Sequence, residues 1–117
     1  MARKVDWTDP AWDDLAEVAN YIARDSEYYA ATFVQEVKDA AASLSEFANR
    51  GQIVPEFGDP SIRELLIKSY RLVYRVSAER VVILTLIHGA RRISRVLQPA
   101  WILSIKSWSV PATTEKS

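Results

Sequence analysis

Apolar residues recur at helical spacing through residues 11–48 and alternate with polar ones from 62 onward, so the chain divides into a helical first half and a stranded second half. Arg3 to Trp7 reads as a short opening strand. Thr8-Asp9-Pro10 then supplies capping oxygens and a proline suited to the first helical turn. Ala11, Leu15, Val18, Ala19 and Ile22 make one apolar stripe, with Asp13, Asp14, Glu17 and Asn20 outside it, and this helix is predicted to end near Arg24. Ser26 caps a second helix, whose stripe of Tyr29, Ala30, Phe33, Val34, Val37, Ala40, Ala41, Leu44, Phe47 and Ala48 runs for about 20 residues. Asn49-Arg50-Gly51 supplies the stop, with Gly51 free to take the left-handed conformation that closes a helix. A tight Asp25-Ser26 turn makes the pair an antiparallel hairpin.

Residues 51–60 are punctuated by Pro and Gly and read as a loop. Ile62 to Lys68, Tyr70 to Val76 and Val81 to His88 follow as three strands, the last two joined by Ser77-Ala78-Glu79-Arg80. Alternation puts Tyr70, Leu72, Tyr74 and Val76 on one face and Arg71, Val73 and Arg75 on the other, so the helices should cover the first face and leave the second partly basic. The prediction is an α+β domain of order β-α-α-β-β-β, a two-helix hairpin on one face of a mainly antiparallel sheet, spanning residues 1–98. Residues 99–117 form an extension, strand-like over Trp101, Leu103 and Ile105 and expected to lack fixed structure from Pro111 to Ser117.

A chain of 117 residues, 49% hydrophobic and 26% charged, suits one domain with one core. With no cysteine and one histidine, thiolate chemistry is excluded and neither metal nor another cofactor is expected. The N-terminus lacks the apolar run of a signal peptide and no stretch reaches the roughly 18 apolar residues of a membrane span, so a cytoplasmic protein with no membrane partner is expected. Net charge is zero but unevenly spread. Residues 1–64 carry 13 acidic against 6 basic side chains and residues 65–117 carry 2 against 9. That asymmetry either cancels within the fold or offers the second half to an anionic partner.

Trp7-Thr8-x-x-Ala11 with Asp14-Leu15, Tyr21-Ile22-Ala23, Arg63-Glu64-Leu65, the strand Tyr-Arg-Leu-Val-Tyr-Arg-Val at 70–76 and Ile-His-Gly-Ala-Arg at 87–91 together resemble the RelE/ParE toxin superfamily over about residues 4–97. The resemblance implies the same strand, two helices and meander reached above from periodicity. It also implies a growth-arresting toxin held inactive by a cognate antitoxin, as a possible homodimer or a heterotetramer with that antitoxin. Two activities occur on this scaffold, poisoning of DNA gyrase in ParE-like members and ribosome-dependent cleavage of mRNA in RelE-like ones. A degenerate, non-toxic member is a third alternative.

Cleaving RNA through its 2′-hydroxyl needs a proton acceptor, a group to protonate the leaving oxygen and cations for the transition state. Arg71 and Arg91 fall on the family's two motif arginines and are candidates to clamp a phosphate, both expected to be replaceable without harm to the fold. Arginine stabilises charge but shuttles protons poorly. Where the ribonucleases are lysine-rich, this chain has Arg63-Glu64-Leu65-Leu66, and the position of their C-terminal tyrosine falls on about Leu97. His88 alone has an ordinary pKa suited to acid–base work near neutrality. Glu36 with Asp39, and Asp13 with Asp14 and Glu17, read as solvated helix faces rather than a carboxylate site. The missing tyrosine and the long paired helices favour ParE-like inhibition. Expected target contacts are Arg63, Lys68, Arg71, Arg75, Arg91, Arg92 and Arg95. Trp101, Leu103, Ile105 and Trp108 are expected either to pack on the domain or to contact antitoxin.

Overall fold

The structure is a computed structural model and describes residues 2–89. Its elements are β1 (Lys4–Trp7), α1 (Asp9–Ala23), α2 (Glu27–Ser43), β2 (Gln52–Ile53), β3 (Ile62–Ile67), β4 (Tyr70–Val76) and β5 (Arg80–His88). They form one five-stranded sheet of order β1-β5-β4-β3-β2, in which β1 runs parallel to β5 and every other pair is antiparallel. The α+β hairpin-on-sheet architecture predicted above is the one observed.

The helices begin where the capping residues place them. Thr8 Oγ1 accepts from the Ala11 amide at 3.2 Å and lies 3.0 Å from the Ile83 carbonyl, tying the start of α1 to β5. Ser26 Oγ accepts from the Tyr29 amide at 3.1 Å to start α2. Between hairpin and sheet lies the main core, which includes Ala11, Leu15, Phe33, Val37, Ala41, Leu72, Tyr74 and Ile83. Each fully buried large side chain there contributes about 1.5–3 kcal/mol.

Four local expectations are corrected. α2 stops at Ser43 with Leu44 as its cap, short of the stripe read from the sequence, and Tyr29 and Phe47 from that stripe are exposed. Gly51 is not left-handed; the glycine with positive φ is Gly58. Gly51 is required because a Cβ there would sit 2.5 Å from both the Glu64 carbonyl oxygen and the Tyr74 hydroxyl. The loop after it contains β2, a two-residue edge strand too short for alternation to reveal. Asp14 does not belong to a solvated face. Its carboxylate accepts from the Leu86 amide at 3.1 Å and from Thr85 Oγ1.

That last contact has a backbone cause. The β4–β5 register runs Val73↔Thr85 and then Tyr74↔Ile83, which leaves Leu84 as the extra residue of a β-bulge. A bulge interrupts the ladder, and Asp14 satisfies the Leu86 amide there. The bulge also resets the alternation of β5, so that Leu86 and His88 pair with Leu72 and Tyr70 on the helix side while Ile87 pairs with Arg71 on the other.

The side of the sheet away from the helices is not simply a basic surface. Val54, Ile62, Val73, Val82 and Leu84 are buried there in a second small core, with Phe57 and Ile87 packed against it.

Candidate target-binding face

Beside this second core, β4 places Arg71 one strand from Glu64 of β3, and the loop after β2 brings in Glu56. Glu64 is paired with Val73 and is therefore the diagonal neighbour of Arg71 across the ladder. Arg71 Nε donates to Glu64 Oε1 at 2.6 Å, and the two terminal nitrogens donate to the two Glu56 oxygens at 3.0 and 2.8 Å. Gln52 Nε2 donates to the other Glu64 oxygen at 2.8 Å. All three charged side chains are at most 8% exposed. The hydrogen bonds that Arg71 donates to Glu56, reinforced by the bond to Glu64 and its charge, raise the Arg71 pKa above its ordinary value despite burial.

One guanidinium thus lies between two carboxyl groups, its fork filled in the bidentate geometry that a phosphate would otherwise take. This corrects two expectations. Arg71 is not an open clamp on the surface, and it is a structural ion-pair centre whose loss would strand two buried carboxylates.

The remaining candidates are dispersed. Arg63 donates from Nε to the Pro60 carbonyl at 3.0 Å and from a terminal nitrogen to the Gly51 carbonyl at 2.8 Å, bracing the loop around β2. Arg75 is half-buried near the other end of β4. Lys68 stands at the exposed tip of the β3–β4 hairpin. His88 lies on the helix side, edge-on to Tyr70 with ring centroids 5.4 Å apart, and Tyr70 in turn meets Phe33 of α2. The bulge therefore puts His88 and Arg71 on opposite faces, and the two do not converge on one reacting group. Arg91, Arg92, Arg95, Trp101, Leu103, Ile105 and Trp108 lie outside the described residues.

Sequence reasoning missed Glu56, which sits in an irregular loop where no periodicity assigns a direction. Glu64 was legible, since its alternation with Ile62 and Leu66 puts it on the face of Arg71. A shallow depression of about 250 Å³ opens beside this cluster at the β2 edge, lined by Arg50, Gly51, Gln52, Glu64, Leu65 and Leu66. Among the described residues no group of three or more His, Asp or Glu side chains is placed to hold a metal ion. No helix among them is long and apolar enough to cross a membrane.

The fold is a small α+β one in which an arginine of β4 is locked between two carboxylates. Residues 5–93 match the model of the ParE toxin of type II toxin–antitoxin systems, and the chain belongs to that family. It is similar to a chain of the chromosomal ParDE toxin–antitoxin system from P. aeruginosa, with 23% identity and a TM-score of 0.62 over 74% of this chain and 96% of that one. A chain of the RelBE2 toxin–antitoxin complex from Mycobacterium tuberculosis shares 24% identity and a TM-score of 0.55 over 75% and 99% of the two chains. A mutant E. coli toxin RelE in the free state shares 18% identity and a TM-score of 0.56 over 77% and 86%. At these identities the structural likeness establishes the fold. No curated protein sequence matches the chain. As a member of a toxin–antitoxin family, the chain has a cognate antitoxin as its implied partner.

Proposed function

We propose that this protein arrests growth by binding DNA gyrase, in the cytoplasm, and that it does not cleave RNA. The observation that carries this reading is the buried Glu56–Arg71–Glu64 cluster. Transesterification at a phosphodiester calls for cations facing the non-bridging oxygens. Here the arginine on the family motif faces two carboxyl groups, which repel a phosphate and occupy the guanidinium fork. The one histidine stands on the opposite side of the sheet from Arg71, and the two carboxyl groups that do meet Arg71 are held in its ion pairs. An inhibitor that acts by contact requires neither feature. The cognate antitoxin is proposed to neutralise the toxin by folding along its surface, with the apolar positions Trp101, Leu103, Ile105 and Trp108 among its contacts.

Induction of the chain without antitoxin tests the reading. The expected result is growth arrest with a DNA-damage response and gyrase–DNA cleavage complexes, and with intact mRNA. Codon-register cuts in mRNA without cleavage complexes would replace it by the ribonuclease reading, and normal growth would mark a non-toxic member.

A further inference from the structure

Arg71 has two carboxylate partners that hold it in unequal ways. Glu64 belongs to the sheet. Its backbone lies on the β3–β4 ladder, its Oε1 accepts from Arg71 Nε at 2.6 Å, and its other oxygen accepts from Gln52 at 2.8 Å. Glu56 comes from the loop between β2 and β3, and its two oxygens accept from the two terminal nitrogens of Arg71 at 3.0 and 2.8 Å. Glu64 therefore fixes the direction of the guanidinium, while Glu56 fills its terminal fork. Such a fork receives two oxygens of one anion, carboxylate or phosphate, with the same pair of donors.

The loop that delivers Glu56 is held by other contacts. Val54 is buried in the second core and Phe57 packs against it. The Val54 carbonyl accepts from the Phe57 and Gly58 amides at 3.1 and 3.0 Å, and Gly58 takes the φ of 61° at this turn without steric cost. Asp59 accepts from the amide and hydroxyl of Ser61 at 2.9 and 2.8 Å. Arg63 ties the two ends of the loop together through the Gly51 and Pro60 carbonyls. None of these contacts uses the Glu56 carboxylate. With the loop set by its own bonds and Arg71 aimed by Glu64, the carboxylate in the fork is a separable part. Leu66, paired with Arg71 across the ladder, is 66% exposed, so the sheet beside the fork meets solvent.

We propose that Glu56 is a specificity-determining residue, whose carboxylate closes an oxyanion site built by Arg71 and Glu64 that would otherwise take a phosphodiester of single-stranded RNA. This rests on the reading above in which RNA is not the target, and adds the residue that enforces it. A phosphodiester entering the fork has to displace a carboxylate carried by the same chain at high effective concentration. Removing the Glu56 carboxylate ends that competition and leaves Arg71 held by Glu64.

Binding of a labelled single-stranded RNA oligonucleotide is measured at about 0.05 M salt for the parent, for Glu56→Ala and for Glu56→Leu/Glu64→Leu/Arg71→Leu. Glu56→Ala and the triple variant each carry one positive charge more than the parent, so a difference between them is not one of net charge. Glu56→Ala should bind roughly ten-fold or more tightly than both, and inorganic phosphate should compete with the RNA and shift the Arg71 Nε–H resonance.

A Glu56→Ala toxin that melts cooperatively and binds RNA no better than the parent overturns the proposal. An equal gain in the triple variant overturns it by tracing the gain to net charge. Tighter RNA binding with an Arg71 resonance unmoved by phosphate overturns it by placing the RNA elsewhere. Loss of the cooperative melt in Glu56→Ala does so as well, because the fork has to stand without Glu56. None of these outcomes involves gyrase, and the gyrase reading stands or falls on cleavage complexes formed by the parent.

Discussion

At the scale of single residues, Arg71 carries the largest consequence. Its removal leaves Glu56 and Glu64 buried without their cation, so Arg71→Ala should lose about 3–5 kcal/mol of stability, measured by urea unfolding. Replacing all three by leucine removes the charges together and should recover most of that loss. A triple variant no more stable than Arg71→Ala would mean that the cluster stabilises by more than mutual neutralisation. The arginine adds no pH dependence of its own in the working range. Its raised pKa makes its contribution complete at every pH below the ordinary guanidinium range, to be lost only above it. Tyr74 behaves differently. Its hydroxyl donates to the Ala48 carbonyl at 2.8 Å and accepts from the Gly51 amide at 3.0 Å, and burial raises the phenol's pKa. Above about pH 10 the unfolded chain gives up this proton before the folded one does, so stability falls with rising pH until the folded-state value is passed. Tyr74→Phe should cost about 1–3 kcal/mol at neutral pH and flatten that alkaline decline, as thermal melts across pH 8–11 would show. An unchanged decline in the variant would assign it to other groups.

At the scale of elements, the same hydroxyl joins the end of the helical half to the edge of the sheet, and Gly51 is the residue that permits the approach. Gly51→Ala would force a methyl group to 2.5 Å from backbone and phenol oxygens, and the pairing of β2 with β3 would have to open. The expected loss is about 1–3 kcal/mol, with faster amide exchange at Gln52 and Ile53 than in the parent. Exchange unchanged at those amides would show that the strand absorbs the methyl elsewhere. The major elements were legible because their signals are local. Thr8 and Ser26 cap helices by hydrogen bonds to amides three residues on, and Tyr70 to Val76 alternates over its whole length. What was not legible depends on contacts across the fold. α2 gives way to a turn after Ser43, and Leu44 and Ala48 beyond it stay in the main core while Phe47 turns out to solvent, a change of backbone course that helical spacing does not register. The bulge at Leu84 adds one residue to a run of apolar side chains in which a shifted phase leaves no mark. From it follow both the Asp14 contact and the side of the sheet on which His88 lies. The candidate face was half legible for the same reason, with Arg71 and Glu64 on a regular ladder and Glu56 on a loop.

At the scale of the whole molecule, the family match ends at residue 93 and the solved relatives are covered almost entirely, 96% and 99% of two of them, by about three quarters of this chain. The extension from Pro99 lies beyond the family match and is proposed to serve contact with a partner. Trp101, Leu103, Ile105 and Trp108 are too few to span a membrane, yet together they offer more apolar surface than a tail held in water would favour. An antitoxin segment that folds on binding would gain from them as an added strand or an apolar seam. Truncation after Leu97 separates this from a role in the domain's own core. If the extension serves a partner, the truncated toxin melts within about 2 °C of the parent and binds its antitoxin more weakly by roughly ten-fold or more in calorimetry. Were two of those side chains packed in the core instead, their loss at about 2–3 kcal/mol each would lower the melting temperature by far more than that. A steep fall in melting temperature would therefore assign the extension to the fold. Parental melting with parental affinity would remove it from both roles.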